Sequence, residues 1–264
     1  GRLTMAERKA ALVTGSTSGI GLGMARALAN AGYDIMLNGL GKADDINAVL
    51  ESLRANTGVR VEFDGADLSQ PARVRELVRN TIATFGRVDV LVNNAGIQHV
   101  APLESFPDES WHQIIAINLS SAFFATSEAL PVMRKNGWGR IINTSSAHGL
   151  VASVEKAAYV SAKHGIIGLT KVTALETAGS GITCNAICPG FVNTPLVQTQ
   201  VEARAQADGV DFKTAAASLL GEKQPSGEFA SVEQIGGLVA YLCTPFADQI
   251  TGASLPIDGG WTAQ

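Results

Sequence analysis

At 264 residues, with 46% hydrophobic and 17% charged side chains and 28 glycines, the chain has the profile of a compact α/β protein and not of a disordered one. Its net charge of −4, with no run of Lys or Arg longer than two, argues against a nucleic-acid or acidic-membrane surface, and no apolar stretch is expected to reach membrane-spanning length. Three cysteines, Cys184, Cys188 and Cys243, are an odd number without metal-ligand spacing, so no bound metal is expected. They point to reduced thiols in a cytoplasm, with Cys184 and Cys188 in the core. Residues 1–4, ahead of Met5, are expected to be a cloning remnant, with Met5 the native start.

In chain order, Ala10–Thr14 reads as a short buried strand, followed by a glycine turn and a helix over Ile20–Ala31. Asp34–Asn38 is a second strand, Ile46–Asn56 a helix and Val59–Phe63 a third strand. Pro71 opens a helix running to about Phe85, and Val88–Val92 is the next strand. From Pro107 to about Arg134 the pattern predicts a short helix and then a long one. A strand at Ile141–Thr144, a helix from about Lys156 to Glu176 and a strand at Ile182–Ile187 follow. A helix near Val232–Cys243 and a strand at Ser254–Ile257 end the chain. Strands apolar on both faces, alternating with helices, predict an α/β fold: one domain with a doubly wound (Rossmann-type) parallel sheet of about seven strands and helices on both faces. Between about Pro195 and Pro225 the rhythm breaks into two polar-faced helices split at Gly209, expected to form a mobile substrate lid over the carboxyl edge of the sheet.

The first strand runs into Thr14-Gly15-Ser16-Thr17-Ser18-Gly19-Ile20-Gly21. Glycines there let the backbone turn tightly and approach a pyrophosphate seated on the next helix N-terminus. The second strand ends at Asn38-Gly39-Leu40, with neither the carboxylate that would hold the ribose hydroxyls of NAD nor a basic residue for the phosphate of NADP. Lys42 is nearby, but the absence of a clear phosphate clamp favours NAD. Asp67 and Leu68 follow the third strand and could meet the adenine edge, although Asp67 could equally serve a helix N-terminus. Asn93-Asn94-Ala95-Gly96 closes the fourth strand and is expected to line the cleft.

Tyr159 and Lys163 stand four residues apart on a predicted helix, so a phenol and an ammonium share one face. A phenol titrates near ~10, and a fixed cation beside it is expected to draw that value down toward the range where it works as a base.

Taken together, TGSTSGIG, NNAG, Asn118, Ser146, YVSAK and Pro189-Gly190 resemble the short-chain dehydrogenase/reductase family, from about Ala6 to the end. The resemblance implies a catalytic set of Asn118, Ser146, Tyr159 and Lys163. In it Tyr159 exchanges the substrate proton, Ser146 holds the substrate oxygen, Lys163 lowers the Tyr159 pKa and holds the nicotinamide ribose, and Asn118 positions a water. It implies cofactor contacts at Gly15, Thr17, Ser18, Gly19, Ile20, Leu40, Asp67, Leu68, Asn94, Ala95, Gly96, Tyr159, Lys163, Pro189, Gly190, Val192 and Thr194.

A closer likeness in NNAGIQHVAP, SSAHGLVAS, KAAYVSAKHGIIGLTKVTALE, NAICPG, EKQPS and DGGW points to members acting on a small 3-hydroxy/3-oxo acid with NAD, of the D series. The implied substrate set is Gln98, Ser146, His148, Lys156, Tyr159 and Gln200, which offers a carboxylate donors and a cation. Phe191 stands where the likeness leads to Trp, from which a relaxed chain-length limit is expected. A carrier-protein reductase would need a basic NADPH site, a sugar dehydrogenase would have less use for Lys156 beside His148, and a cofactor-sensing regulator would not need the intact catalytic set. The C-terminal helix and strand resemble the segments through which such proteins form homotetramers.

Overall fold

A computed structural model describes residues 8–264; the expected remnant and start at Met5 lie outside them. Seven strands form one parallel sheet: β1 (Ala10–Val13), β2 (Asp34–Asn38), β3 (Val61–Asp64), β4 (Val90–Asn93), β5 (Gly139–Thr144), β6 (Ile182–Pro189) and β7 (Ser254–Ile257), in the order β3-β2-β1-β4-β5-β6-β7. Val13 pairs with Leu37 on one side and with Val92 on the other, which places β1 and β4 side by side where the winding reverses. That reversal opens a crevice at the carboxyl ends of the strands.

The strand residues alternate between two cores, as a period of two requires. Ala11, Val13, Ile35 and Leu37 pack under α1 (Gly19–Asn30), α2 (Ala43–Thr57) and α9 (Val232–Leu242). Leu12, Met36 and Leu91 face α3 (Pro71–Phe85), α5 (Ser121–Asn136) and the far end of α6 (Ala157–Thr177). Pro71 occupies the first turn of α3, where its missing N–H costs nothing.

One departure from the expected pattern concerns α4 (Asp108–Ile115) and α5. A π turn over Ala116–Ser120 joins them end to end, so Asp108–Asn136 is a 29-residue helix long and apolar enough by length and composition to cross a membrane. His112, Gln113 and Asn118 interrupt the apolar run and hide that length in the sequence. Here α5 carries Ala125, Ala129 and Met133 into the core beneath the sheet.

The two helices after β6 are α7 (Pro195–Asp208) and α8 (Phe212–Gly221). Thr194 caps α7 by accepting from the Val197 N–H, and Gly209, at φ 65°, ends it in a left-handed turn that L side chains disfavour. Val201, Ala215 and Ala216 give the pair a small core of its own.

Candidate active site

Two adjoining cavities open at the carboxyl ends of the strands. The first, of about 480 Å³, is lined by Gly15, Thr17, Ser18, Gly19, Ile20, Leu40, Asp67, Leu68, Asn94, Ala95, Gly96 and Thr194 of the expected cofactor set. The second, of about 600 Å³, is lined by Gln98, Ser146, Tyr159, Lys163, Pro189, Gly190 and Gln200. Ile20, Asn94, Gly96, Ile97 and Leu196 line both, so the cavities are continuous. Val192 lines neither: its side chain packs in the core, and it bridges to Ala230.

The floor of the first cavity is built for close approach. A Cβ on Gly15 would come within 2.8 Å of Ala95 Cα, and one on Gly21 within 2.1 Å of the Gly15 carbonyl oxygen. Asn94 pins this turn: its Nδ2 donates to the carbonyls of Thr14 and Gly15, both at 3.1 Å. The first turn of α1 carries no acidic residue and no side-chain cap, which leaves its N–H groups free for an anion. Thr144, on the wall of the second cavity, holds the only buried side-chain N or O atom without a hydrogen-bond partner among the described residues. A glycine floor, an uncapped helix start and an unsatisfied hydroxyl fit a dinucleotide.

At the end of β2, Asn38 spends its side chain on the fold, which explains why no carboxylate stands there. Its Oδ1 accepts from the Gly15 N–H at 3.3 Å, and its Nδ2 donates to the carbonyls of Asp64 and Ala66. Asp67 is likewise engaged: Oδ1 accepts from Ser69 N and Oγ at 2.9 and 2.7 Å, and these bonds hold its carboxyl below the ordinary range. Asp67 is the only charged side chain lining the first cavity among the described residues.

A buried polar chain sets the register of α6 on the sheet. Asn93 donates to Asn143 and Asn143 to Thr170, each at 2.9 Å. Ser145 Oγ donates to the Lys163 carbonyl at 2.9 Å, and Lys163 Nζ to the Thr144 carbonyl at 2.8 Å. The Lys163 ammonium therefore lies 5.6 Å from the centre of the Tyr159 ring, and both face the second cavity.

The electrostatics differ from expectation. Burial raises the Tyr159 pKa above 10, and the hydrogen bond with Ser146 pulls it only partly back. Lys163 is turned onto Thr144, and burial lowers its own pKa to about 8. The net shift of the phenol is therefore upward, opposite to the depression expected from its neighbour, and its causes are burial and the Ser146 bond.

Asn118 falls on the π turn, buried, and lines neither cavity. Its Oδ1 accepts from Ile97 N and its Nδ2 donates to Ile97 O, both at 2.8 Å, so its side chain holds the loop carrying Gln98. His148 lies behind Tyr159, edge-on at 6.0 Å between centroids, with Nε2 2.8 Å from Ser153 Oγ. Lys156, just ahead of α6, also lies outside both cavity walls. Phe191 tilts against Trp261, with 5.1 Å between the ring centroids. The sequence reading missed Asn38 and Leu196 as wall residues; Leu196 could have been found from its place one turn before Gln200 on a helix opening at Pro195.

Burial, reinforced by the charges of Lys156, Lys223 and His164, drops the His148 pKa from 6.5 to about 4, so the ring is neutral at pH 7. Between pH 4 and 6.5 the native state binds fewer protons than the unfolded chain, and stability is expected to fall as pH drops through that window. The full cost, reached below the folded value, is on the order of 3 kcal/mol. Thermal melts across that window should show the slope in the wild type and lose it in His148→Gln; an equal slope in both contradicts this assignment.

Residues 9–205 match the model of a protein family described as short chain dehydrogenase. The chain is 56% identical over 260 residues to D-beta-hydroxybutyrate dehydrogenase of Cupriavidus necator, covering 98% of this chain and 100% of the relative. It is 49% identical to D-beta-hydroxybutyrate dehydrogenase of Rhizobium meliloti, covering 97% and 99%. Among solved structures, a point variant of actinorhodin polyketide ketoreductase with NADPH superposes with a TM-score of 0.91 at 33% identity, covering 99% of this chain and 100% of that one. L-Sorbose reductase from Gluconobacter frateurii, complexed with NADPH and L-sorbose, gives 0.92 at 30% identity, with 97% of each chain covered.

Proposed function

Because the chain belongs to the short-chain dehydrogenase family, we propose that it catalyses the NAD-dependent oxidation of D-3-hydroxybutyrate to acetoacetate and the reverse reduction. The observation that carries this reading is the convergence of Ser146, Tyr159, Lys163, Gln98 and Gln200 on one small cavity continuous with the glycine-floored cleft. Similarity to hydroxybutyrate dehydrogenases along the whole chain supports the substrate.

The glycine turn and α1 would hold the pyrophosphate, Leu40, Asp67 and Leu68 the adenosine end, and Asn94, Ala95, Gly96, Pro189, Gly190 and Thr194 the path toward Tyr159 and Lys163. When bound, NAD supplies the acceptor for the hydrogen and electron pair leaving the carbinol carbon. The chain's own residues handle the proton. Ser146 Oγ accepts from the His148 N–H at 3.1 Å, and its own hydrogen, shared with Tyr159, would donate to the substrate oxygen. That bond strengthens as charge builds on the oxygen.

Tyr159 exchanges the hydroxyl proton. With its pKa raised, the phenol rests protonated at neutral pH and is ready to donate in the reductive direction; oxidation should speed up as pH rises. Lys163, still mostly charged at pH 7, fixes the cavity wall and supplies positive potential. Asn118 acts through Ile97 by holding the Gln98 loop. Lys156, just ahead of α6 and outside the cavity wall, would turn inward to supply a cation for the carboxylate, and neutral His148 buttresses Tyr159. Helices α7 and α8 serve as a lid, with Leu196 and Gln200 reaching the cavity.

NAD is favoured over NADP because, among the described residues, no cation lines the first cavity to take a 2′-phosphate. A single domain, a homotetramer using the edge strand β7 beside the exposed Tyr241 and Phe246, and a cytoplasmic setting suited to three buried free thiols complete the proposal.

The test is absorbance at the reduced-nicotinamide band with D- and L-3-hydroxybutyrate and the five-carbon D acid, each with NAD and NADP. D-3-Hydroxybutyrate with NAD should exceed the L acid and the NADP pairs by about tenfold or more in kcat/KM, a gap of ~1.4 kcal/mol. The five-carbon acid should follow within about tenfold, because Phe191 is smaller than the Trp to which the likeness leads. No turnover of either stereoisomer overturns the substrate, and preference for NADP overturns the cofactor.

A further inference from the structure

The lid has two stems, and both meet the wall of the second cavity. The chain runs from Gly190 on that wall through Phe191, Val192 and Asn193 into the Thr194 cap of α7. It returns after α8 through residues 224–230, which lie alongside. Val192 bridges to Ala230, the Ala230 N–H donates to the Phe191 carbonyl at 3.0 Å, and the Asn193 N–H donates to the Ala230 carbonyl at 2.8 Å. Between the stems the lid is one unit: Val201 packs with Ala215 and Ala216, and Arg204 of α7 pairs with Glu222 beyond α8. Leu196 and Gln200 of α7 are its contribution to the second cavity.

Gln224 joins the second stem to the wall. It is 1% exposed, and both ends of its amide are engaged. Its Oε1 accepts from the Phe191 N–H at 2.8 Å, while its Nε2 donates to the Glu228 carbonyl and, at 3.5 Å, to that of Phe191. One N–H and two carbonyls as partners fix which end of the amide is oxygen. Its own N–H donates to the Leu220 carbonyl, in the last turn of α8, at 2.7 Å. One residue therefore holds the lid by its backbone and the wall by its side chain. The surroundings leave it room only through glycines: a Cβ on Gly190 would come within 2.4 Å of Gln224 Oε1, and one on Gly259 within 2.7 Å of its Cγ. An apolar side chain in its place would strand the Phe191 N–H and the Glu228 carbonyl away from water.

We propose that Gln224 is a positioning residue for the substrate: its amide fastens the end of the lid to the Gly190–Phe191 peptide, so that the lid swings about this clasp and returns Leu196 and Gln200 to one place in the second cavity. The inference deepens the hydroxy-acid reading and rests on it. With both stems tied to one short stretch of wall, the lid moves as a flap and not as a loose loop. Loss of the clasp frees one stem and weakens the hold on the hydroxy acid, while the glycine floor and Asn94, on the far side of the crevice, keep the dinucleotide seat.

The experiment pairs kinetics of Gln224→Met, which keeps the length of the side chain and removes its hydrogen bonds, with amide hydrogen exchange of the wild type. Gln224→Met should raise KM for D-3-hydroxybutyrate about tenfold, with kcat and NAD affinity within about threefold of wild type, the split expected when binding is lost equally in ground and transition states. In the wild type the Phe191 and Ala230 amides should exchange slowly with or without NAD plus acetoacetate, a pair that cannot react, while the amides of α7 slow when the pair is added. An unchanged KM in Gln224→Met overturns the proposal, and so does an equal loss of NAD affinity, which would mark a purely structural glutamine. Phe191 exchange as fast as that of the lid helices overturns it without recourse to any variant. Absence of turnover in the wild type would defeat the hydroxy-acid reading and this inference with it, whereas fast Phe191 exchange with turnover intact would defeat the clasp alone.

Discussion

Tyr159→Phe is expected to cut turnover of D-3-hydroxybutyrate by about 10²- to 10⁴-fold, the range set by loss of a positioned acid–base group, with dinucleotide affinity preserved. The substitution removes one oxygen and little else. The edge-on contact with His148 needs only the ring, Lys163 keeps its bond to Thr144, and the Asn93–Asn143–Thr170 chain still holds α6 on the sheet. The variant should therefore melt near the wild-type temperature and bind dinucleotide with wild-type affinity. Turnover within a few fold of wild type would remove Tyr159 from the proton path, and loss of dinucleotide binding would show that the hydroxyl served the fold.

Gly21→Ala should damage the other half of the site as severely. The added methyl would lie 2.1 Å from the Gly15 carbonyl oxygen and 2.6 Å from Asn94 Nδ2, distances that real Cβ atoms do not adopt. The turn must shift, and the Asn94 bonds to Thr14 and Gly15 that shape the cleft must break with it. Dinucleotide affinity is expected to fall by about 100-fold, corresponding to ~2.7 kcal/mol, with a lower melting temperature. Calorimetric titration of NAD checks this; wild-type affinity would mean that the turn is not the pyrophosphate seat.

The architecture was largely legible because it rests on local signals. Strand runs apolar on both faces, Pro71 at a helix start and Gly209 between the lid helices each act within a few residues of themselves. The neighbourhood of the site was legible for the same reason: residues just past parallel strand ends must meet at one edge of the sheet. What escaped notice depends on contacts distant in sequence. Asn38 is a structural amide because Asp64 and Ala66 come to it from β3 and the loop beyond. Asn118 is committed to Ile97 because a π turn aims it there. The spacing of Tyr159 and Lys163 gave their shared face, but the burial that raises one pKa and lowers the other comes from the whole surrounding fold.

Transfer of the carbon-bound hydrogen can be followed directly. D-3-hydroxybutyrate deuterated at carbon 3 is mixed with the protein and NAD, and the products are examined by mass spectrometry. Deuterium should appear in the reduced dinucleotide, in an amount equal to the acetoacetate formed. Acetoacetate formed without label in the dinucleotide, or no acetoacetate at all, would contradict alcohol oxidation in this cleft.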